Sequence, residues 1–273
     1  SALQSLKKSI VLKMGQQNSY MPGLYIREAR INLATGVLEN FDKTLNSALT
    51  SSLATFGENS ESYAGTMIDV AEVYNEYGHY RLSREHLTKA KELLTRINHL
   101  TGYSEGRIAL LESEAMTGQG FCNEAIEQLK GMESYFAGRA VEKETTVDGA
   151  SIKTQRVPDE EIPKRYSDYG KLLTLIASAY SKKGNLLSAD SAFKAAQTWI
   201  RRNQRYMGET NLSLVQNNYQ YAKMLIDNGN EHREKELEFE NILADLKKRA
   251  NPTNALAHDI YLAYLHQLLV EDN

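Results

Sequence analysis

The stretch Val70–Leu93, VAEVYNEYGHYRLSREHLTKAKEL, decides the architecture, because its small, large and turn-forming residues return elsewhere at the same steps. Ala71, Tyr74, Gly78, Tyr80, Ser83, Leu87 and Ala90 follow one another at steps of three, four, two, three, four and three. Ile176–Gln197, IASAYSKKGNLLSADSAFKAAQ, repeats those steps with Ala177, Tyr180, Gly184, Leu186, Ala189, Phe193 and Ala196. Steps of three and four keep residues on one helix face, so each stretch reads as two amphipathic helices joined by a tight turn. The small residues Ala71, Ser83 and Ala90, and Ala177, Ala189 and Ala196, let two helices approach closely, while Tyr74, Leu87, Tyr180 and Phe193 fill the space between them. Gly78 and Gly184 stand where the chain leaves the first helix, a position that favours left-handed backbone.

This pattern resembles the tetratricopeptide repeat, a helix, tight turn and helix of about 34 residues. Weaker copies start at Pro22 (Ala29, Gly36, Leu38, Leu45, Ala48) and Gly106 (Ser113, Met116, Gly120, Ala125, Leu129), and the starts Pro22, Ala64 and Gly106 are 42 residues apart. That longer spacing is similar to the repeats of kinesin light chain, as is the Gly-Glu exit and polar helix start of LATFGENSESYAGTMIDVAEVY. Ser60 or Ser62 is the expected N-cap there, and Ser104 that of the next repeat. A fourth repeat starts at Gly170, and a fifth, poorer copy carries Ala222, Leu225 and Gly229 in register, with Glu234 and Glu238 where Ala and an aromatic residue are expected. The expected organisation is a single array over 1–273: a helix over 1–15, repeats near 22–62, 64–104, 106–138, 170–203 and 215–250, and a terminal helix over 254–270. The fold class is all-α, a right-handed α-α superhelix with one inserted β-hairpin. Half a repeat at each end is what a piece of a longer protein would show. A terminal capping helix is the other reading of the C-terminal end.

Gly170 follows Gly106 by 64 residues, 22 more than the preceding spacing, and the insertion, 139–169, contains VEKETTVDGASIKTQRVP. Asp148-Gly149 between two polar, β-branched runs is a strong hairpin signal, since both residues tolerate positive φ. Pairing outward sets Val147 against Ala150, Thr145 against Ile152 and Glu144 against Lys153. One face then collects Val141, Thr145, Val147, Ala150 and Ile152, a contact face either for the array itself or for a partner or second copy.

At 273 residues, with 41% hydrophobic and 25% charged residues, the chain reads as globular with a large core. The net charge of −3 gives no global attraction to nucleic acid, and no apolar run approaches the ~18 residues of a membrane span. The single cysteine, Cys122, cannot form an internal disulfide and sits at the packing position held by Tyr80 and Leu186. Together with the lack of a secretory leader, this agrees with a reducing, cytoplasmic setting. His79, His86, His99, His232, His258 and His266 form no HExxH and have no Cys or carboxylate at metal-ligand spacing, and no GxSxG, P-loop or GxGxxG occurs. Asp159, Glu160 and Glu161 read as a solvated helix start, and EHREKELEFE as an exposed helix face. The expectation is therefore neither an enzyme nor a metal or cofactor protein.

The resemblance implies that the first helices line a concave groove through the second, fifth, sixth, ninth, twelfth and thirteenth repeat positions. On this sequence those positions hold Ile26, Arg27 and Arg30; Ile68, Asp69, Glu72, Asn75 and Glu76; Arg107, Leu110 and Glu114; Lys171, Thr174, Ser178 and Lys182; and Tyr219, Gln220, Lys223 and Asp227. The order basic, acidic, basic implies a partner segment with acidic ends and a basic centre. The set that clamps a peptide's C-terminal carboxylate in some relatives is lacking. The expected function is a scaffold or adaptor binding a protein or peptide segment. The alternative is the regulatory repeat region of a larger enzyme, such as a caspase-like protease or a histidine kinase.

Overall fold

A computed structural model describes residues 2–15, 18–140, 144–147, 150–153, 162–207, 212–228, 241–244 and 260. Among them the helices are α1 (Ala2–Met14), α2 (Met21–Ala34), α3 (Phe41–Phe56), α4 (Glu61–Glu76), α5 (Tyr80–Arg96), α6 (Gly102–Gln119), α7 (Cys122–Ala140), α8 (Ile162–Lys182), α9 (Leu186–Met207) and α10 (Ser213–Asp227). Two short strands, β1 (Glu144–Val147) and β2 (Ala150–Lys153), lie between α7 and α8. The chain divides into two compact units, Ser1–Gln119 and Gly120–Asn273, so the boundary falls inside the third expected repeat.

Each unit is built from helices packed in succession. In the first, α2 packs on α3, α3 on α4, α4 on α5 and α5 on α6, while the alternate helices α2, α4 and α6 also touch in turn. In the second, α7 packs on α8, α8 on α9 and α9 on α10, and α8 touches α10. The fold is thus helical-repeat-like.

The repeat pattern explains the packing. Ala29, Ala71, Ser113, Ala177 and Ala222 occupy one repeat position, and all five are fully buried, so backbones meet where only a small side chain fits. The large partners Leu45, Leu87, Leu129 and Phe193 are buried opposite them, each contributing roughly 1.5 to 3 kcal/mol of transfer free energy. One core joins Ile26, Ala29, Phe41, Leu45, Ala48, Val70, Val73 and Tyr74; the next joins Ala64, Met67, Ile68, Ala71, Leu87, Ala90, Leu93, Leu94, Ile108 and Leu111. In the second unit Phe193 packs with Ala177, Ala189, Tyr221 and Met224.

The turns follow from their glycines. Gly78 adopts φ 79°, and its N–H donates to Asn75 O at 3.0 Å while the His79 N–H donates to Tyr74 O at 2.8 Å. This double bond closes a helix with a left-handed residue. Gly184 (φ 82°) repeats it, with N–H bonds from Gly184 to Ser181 O and from Asn185 to Tyr180 O. Asn98 (φ 55°) ends α5 in the same way, a role that spacing alone did not reveal. At the helix starts, the Ser60 hydroxyl caps α4 by accepting the Tyr63 N–H at 3.1 Å. The expected cap Ser104 is corrected: α6 begins at Gly102, Thr101 precedes it, and the two hydroxyls satisfy each other's backbone N–H groups in a reciprocal capping box.

The insertion also differs in extent from its expected bounds. α7 continues to Ala140 and α8 starts at Ile162, so both ends of 139–169 are helical. α8 begins directly after Asp159, Glu160 and Glu161, the acidic run read as a helix start, and aromatic contacts hold its first turns: Tyr166 stacks on Trp199 and Tyr206 with ring centres 5.8 and 4.9 Å away, and Tyr169 meets Trp199 edge-on at 4.7 Å. The strands pair antiparallel, Glu144 opposite Lys153, Thr145 opposite Ile152 and Val147 opposite Ala150. The Asp148-Gly149 turn, Val141 and the side chains of the expected contact face, Thr145, Val147 and Ile152, lie outside the described residues. So does most of the fifth repeat's second helix and of the terminal helix; 241–244 are helical, and Ile242, Leu243 and Ile260 are buried. Among the described residues no helix is long and apolar enough to cross a membrane.

Candidate functional site

In the first unit the alternate helices α2, α4 and α6 bring five of the expected groove residues into one polar network. Arg30 on α2 donates through Nε to both oxygens of Glu76, at 3.1 and 3.2 Å, and through Nη2 to Glu72 Oε2 at 3.0 Å. Arg107 on α6 donates through Nη2 to Asp69 Oδ1 at 2.7 Å and to the same Glu72 Oε2 at 3.0 Å. One carboxylate oxygen of α4 therefore joins arginines from its two neighbours. Charge at the second, sixth, ninth and thirteenth positions produces this meeting, since helix periodicity sends those positions to one face.

Both arginines and one carboxylate of the network are partly desolvated. Burial lowers the pKa of both guanidinium groups, but Glu76 and Glu72 around Arg30, and Asp69 and Glu72 around Arg107, outweigh it and hold both above the ordinary value. Burial raises the Glu76 carboxyl above its usual range; Arg30 opposes this, and Glu72 and Glu114 add to it. Yet the side chains of Arg30, Arg107 and Glu76 remain 39%, 29% and 35% exposed. These groups are thus partly desolvated by their neighbours while still touching water. Glu114 also joins burial in raising the Tyr80 hydroxyl. The Tyr80 ring lies against Gly118, where an added Cβ would come within 2.3 Å of it, so glycine there makes room for the ring.

Other expected wall residues have different fates. Arg27 is exposed, whereas Ile26, Ile68 and Leu110 are buried and belong to the core. Asn75 is corrected from a wall residue to a seam residue: it is buried, and its Nδ2 donates to Leu111 O at 2.8 Å, tying α4 to α6.

In the second unit a neutral network joins the alternate helices, built from other repeat positions: Thr174 at the fifth and Asn217 at the third. Thr174, expected on the wall, is buried, and its hydroxyl is shared between Gly170 O at 3.0 Å and Asn217 Oδ1 at 3.1 Å. Asn217, fully buried, donates onward to Phe193 O at 3.3 Å. The sequence reading missed Asn217, although it stands on the apolar stripe of Leu214, Tyr221 and Met224, a spacing that marks a buried polar residue. Tyr219 is likewise buried. Ser178, Lys171 and Gln220 are half-buried, and Lys182, Lys223 and Asp227 are exposed.

Cys122 is buried. His86 is half-buried with its ring stacked on Tyr74, 5.6 Å between centres, and burial with Lys89 lowers its pKa against the pull of Glu85. Among the described residues no group of three or more His, Cys, Asp or Glu side chains is arranged to hold a metal ion. No protein-family model matches the chain, and no curated protein matches its sequence.

Proposed function

We propose that the helix pairs are repeats of the tetratricopeptide type, coiled right-handed within each unit, and that the chain is a scaffold binding a protein or peptide segment on its first-helix wall. The observation that carries this reading is the meeting of Arg30, Asp69, Glu72, Glu76 and Arg107 from α2, α4 and α6. A core repeat has no use for five charged side chains on three consecutive alternate helices, three of them, Arg30, Glu76 and Arg107, partly desolvated. A partly wet surface that carries fixed charge orients a partner segment, because charge placement sets register and encounter rate.

The test is to select peptides from a displayed random library on the full chain and map the bound state by hydrogen exchange. Protection should rise in α2, α4 and α6. Protection confined to the outward helices α3 and α5 would reject the wall as the binding surface.

A further inference from the structure

Two arginines from different helices converge on a single acceptor, Glu72 Oε2, each at 3.0 Å. Each also keeps a partner of its own: Arg30 holds both oxygens of Glu76, and Arg107 holds Asp69. Glu72 can therefore leave without unpairing either guanidinium. Its bonds are the exchangeable kind, since ion pairs with 29–39% of the side chains exposed are weak. The planar forks of Arg30 and Arg107 would then present donors to a second carboxylate in the place of the first.

The geometry points to Glu72 as an internal plug of a carboxylate-binding site made by Arg30 and Arg107, and to a partner segment whose Asp or Glu side chain displaces it. This rests on the reading of the wall as a peptide-binding surface. It changes the charge rule expected from sequence: the acidic centre of the wall is engaged by its own arginines, so the partner's acidic group competes with Glu72 for the basic residues. Binding and plug release are then coupled. A ligand that favours the open arrangement shifts the wall toward it by its preference for that state.

The experiment uses the full chain and an array of N-acetylated, C-amidated octapeptide pools, each fixed at one position as Glu, Gln or Lys and random elsewhere. Glu72→Ala should raise retention of the Glu-fixed pools about tenfold over the Gln-fixed pools, an effect that Arg30→Gln with Arg107→Gln abolishes. Glu92→Ala, which removes the same charge from the exposed side of α5, should leave the preference unchanged. An equal gain in Glu92→Ala, or none in Glu72→Ala, overturns the plug. Hydrogen exchange on the retained pools separates the two readings. Protection of α2, α4 and α6 without a Glu72 effect sinks the plug alone, while protection elsewhere sinks the wall and the plug with it. The melting temperature of each variant shows that it is folded.

Discussion

Polar side chains join the alternate helices in both units, but from different repeat positions and with different chemistry. In the first unit Arg30, Glu72 and Arg107 join α2, α4 and α6 through charge. In the second, Thr174 and Asn217 join α8 to α10 through neutral hydrogen bonds, and Asn217 reaches on to Phe193 of α9. The side-chain amides make the same contrast. Both donor and acceptor of Asn217 are engaged, whereas Asn75 Oδ1 has no hydrogen-bond partner among the described residues. A helical repeat dictates where small and large apolar residues go; what the alternate helices carry toward one another is free to vary. Charge keeps such a wall wet and exchangeable, while an enclosed neutral network makes it part of the core.

The sharpest test of that contrast begins with the apolar frame the two units share. Phe193→Ala should cost about 3 to 5 kcal/mol and Leu87→Ala about 2 to 5, by loss of buried contacts and the cavity left behind. Denaturant midpoints measure the loss, and hydrogen exchange should place the loosening in α8 to α10 for the first variant and in α4 to α6 for the second. Loosening in the same helices for both would mean that the cores are not separate.

Next in size is Thr174→Val, which leaves Asn217 Oδ1 buried without its donor and should cost about 1 to 3 kcal/mol. The loss should be the same in low and high salt. Glu72→Gln should cost less, below about 1 kcal/mol, and the difference from wild type should shrink in 1 M salt, where exposed ion pairs are screened. If the Thr174→Val loss varies with salt and the Glu72→Gln loss does not, the contrast between charged and neutral walls is broken.

The smallest effect is in pH. The folded Glu76 carboxyl has a pKa above its ordinary 4.5, so the stability it contributes is fully present below 4.5 and is lost as pH rises through the folded value. Lowering the pH from neutral toward 4.5 should therefore stabilise wild type relative to Glu76→Gln. Urea midpoints of the two proteins that stay parallel over that range would show that Glu76 is not desolvated in the folded protein.

The steps of three and four along Val70–Leu93 were enough to place the helices, because an amphipathic helix writes its period into the chain and a glycine after it marks where the backbone must turn left-handed. Gly36, Gly78, Gly120 and Gly184 all have positive φ, and the small residues that share Ala71's position are all buried. Helix ends were less legible. Ser104 was read as the cap of α6, yet Thr101 pairs with it and precedes the helix, since caps act through contacts that spacing does not record, whereas the acidic run Asp159, Glu160 and Glu161, read as a helix start, stands directly before α8.

The sequence by itself determined the all-helical repeat pattern, the buried small positions and the charges available to the alternate helices. Only the tertiary structure decided which of those charges meet. Arg30 and Glu72 are 42 residues apart, and Glu72 and Arg107 are 35 apart; whether they pair, and which oxygen they share, depends on the distance between packed helices. The same holds for Asn75 and Thr174, placed on a wall by their position but drawn into the seams by the neighbours that bury them. Periodicity is a property of one helix, whereas pairing and burial belong to the space between two.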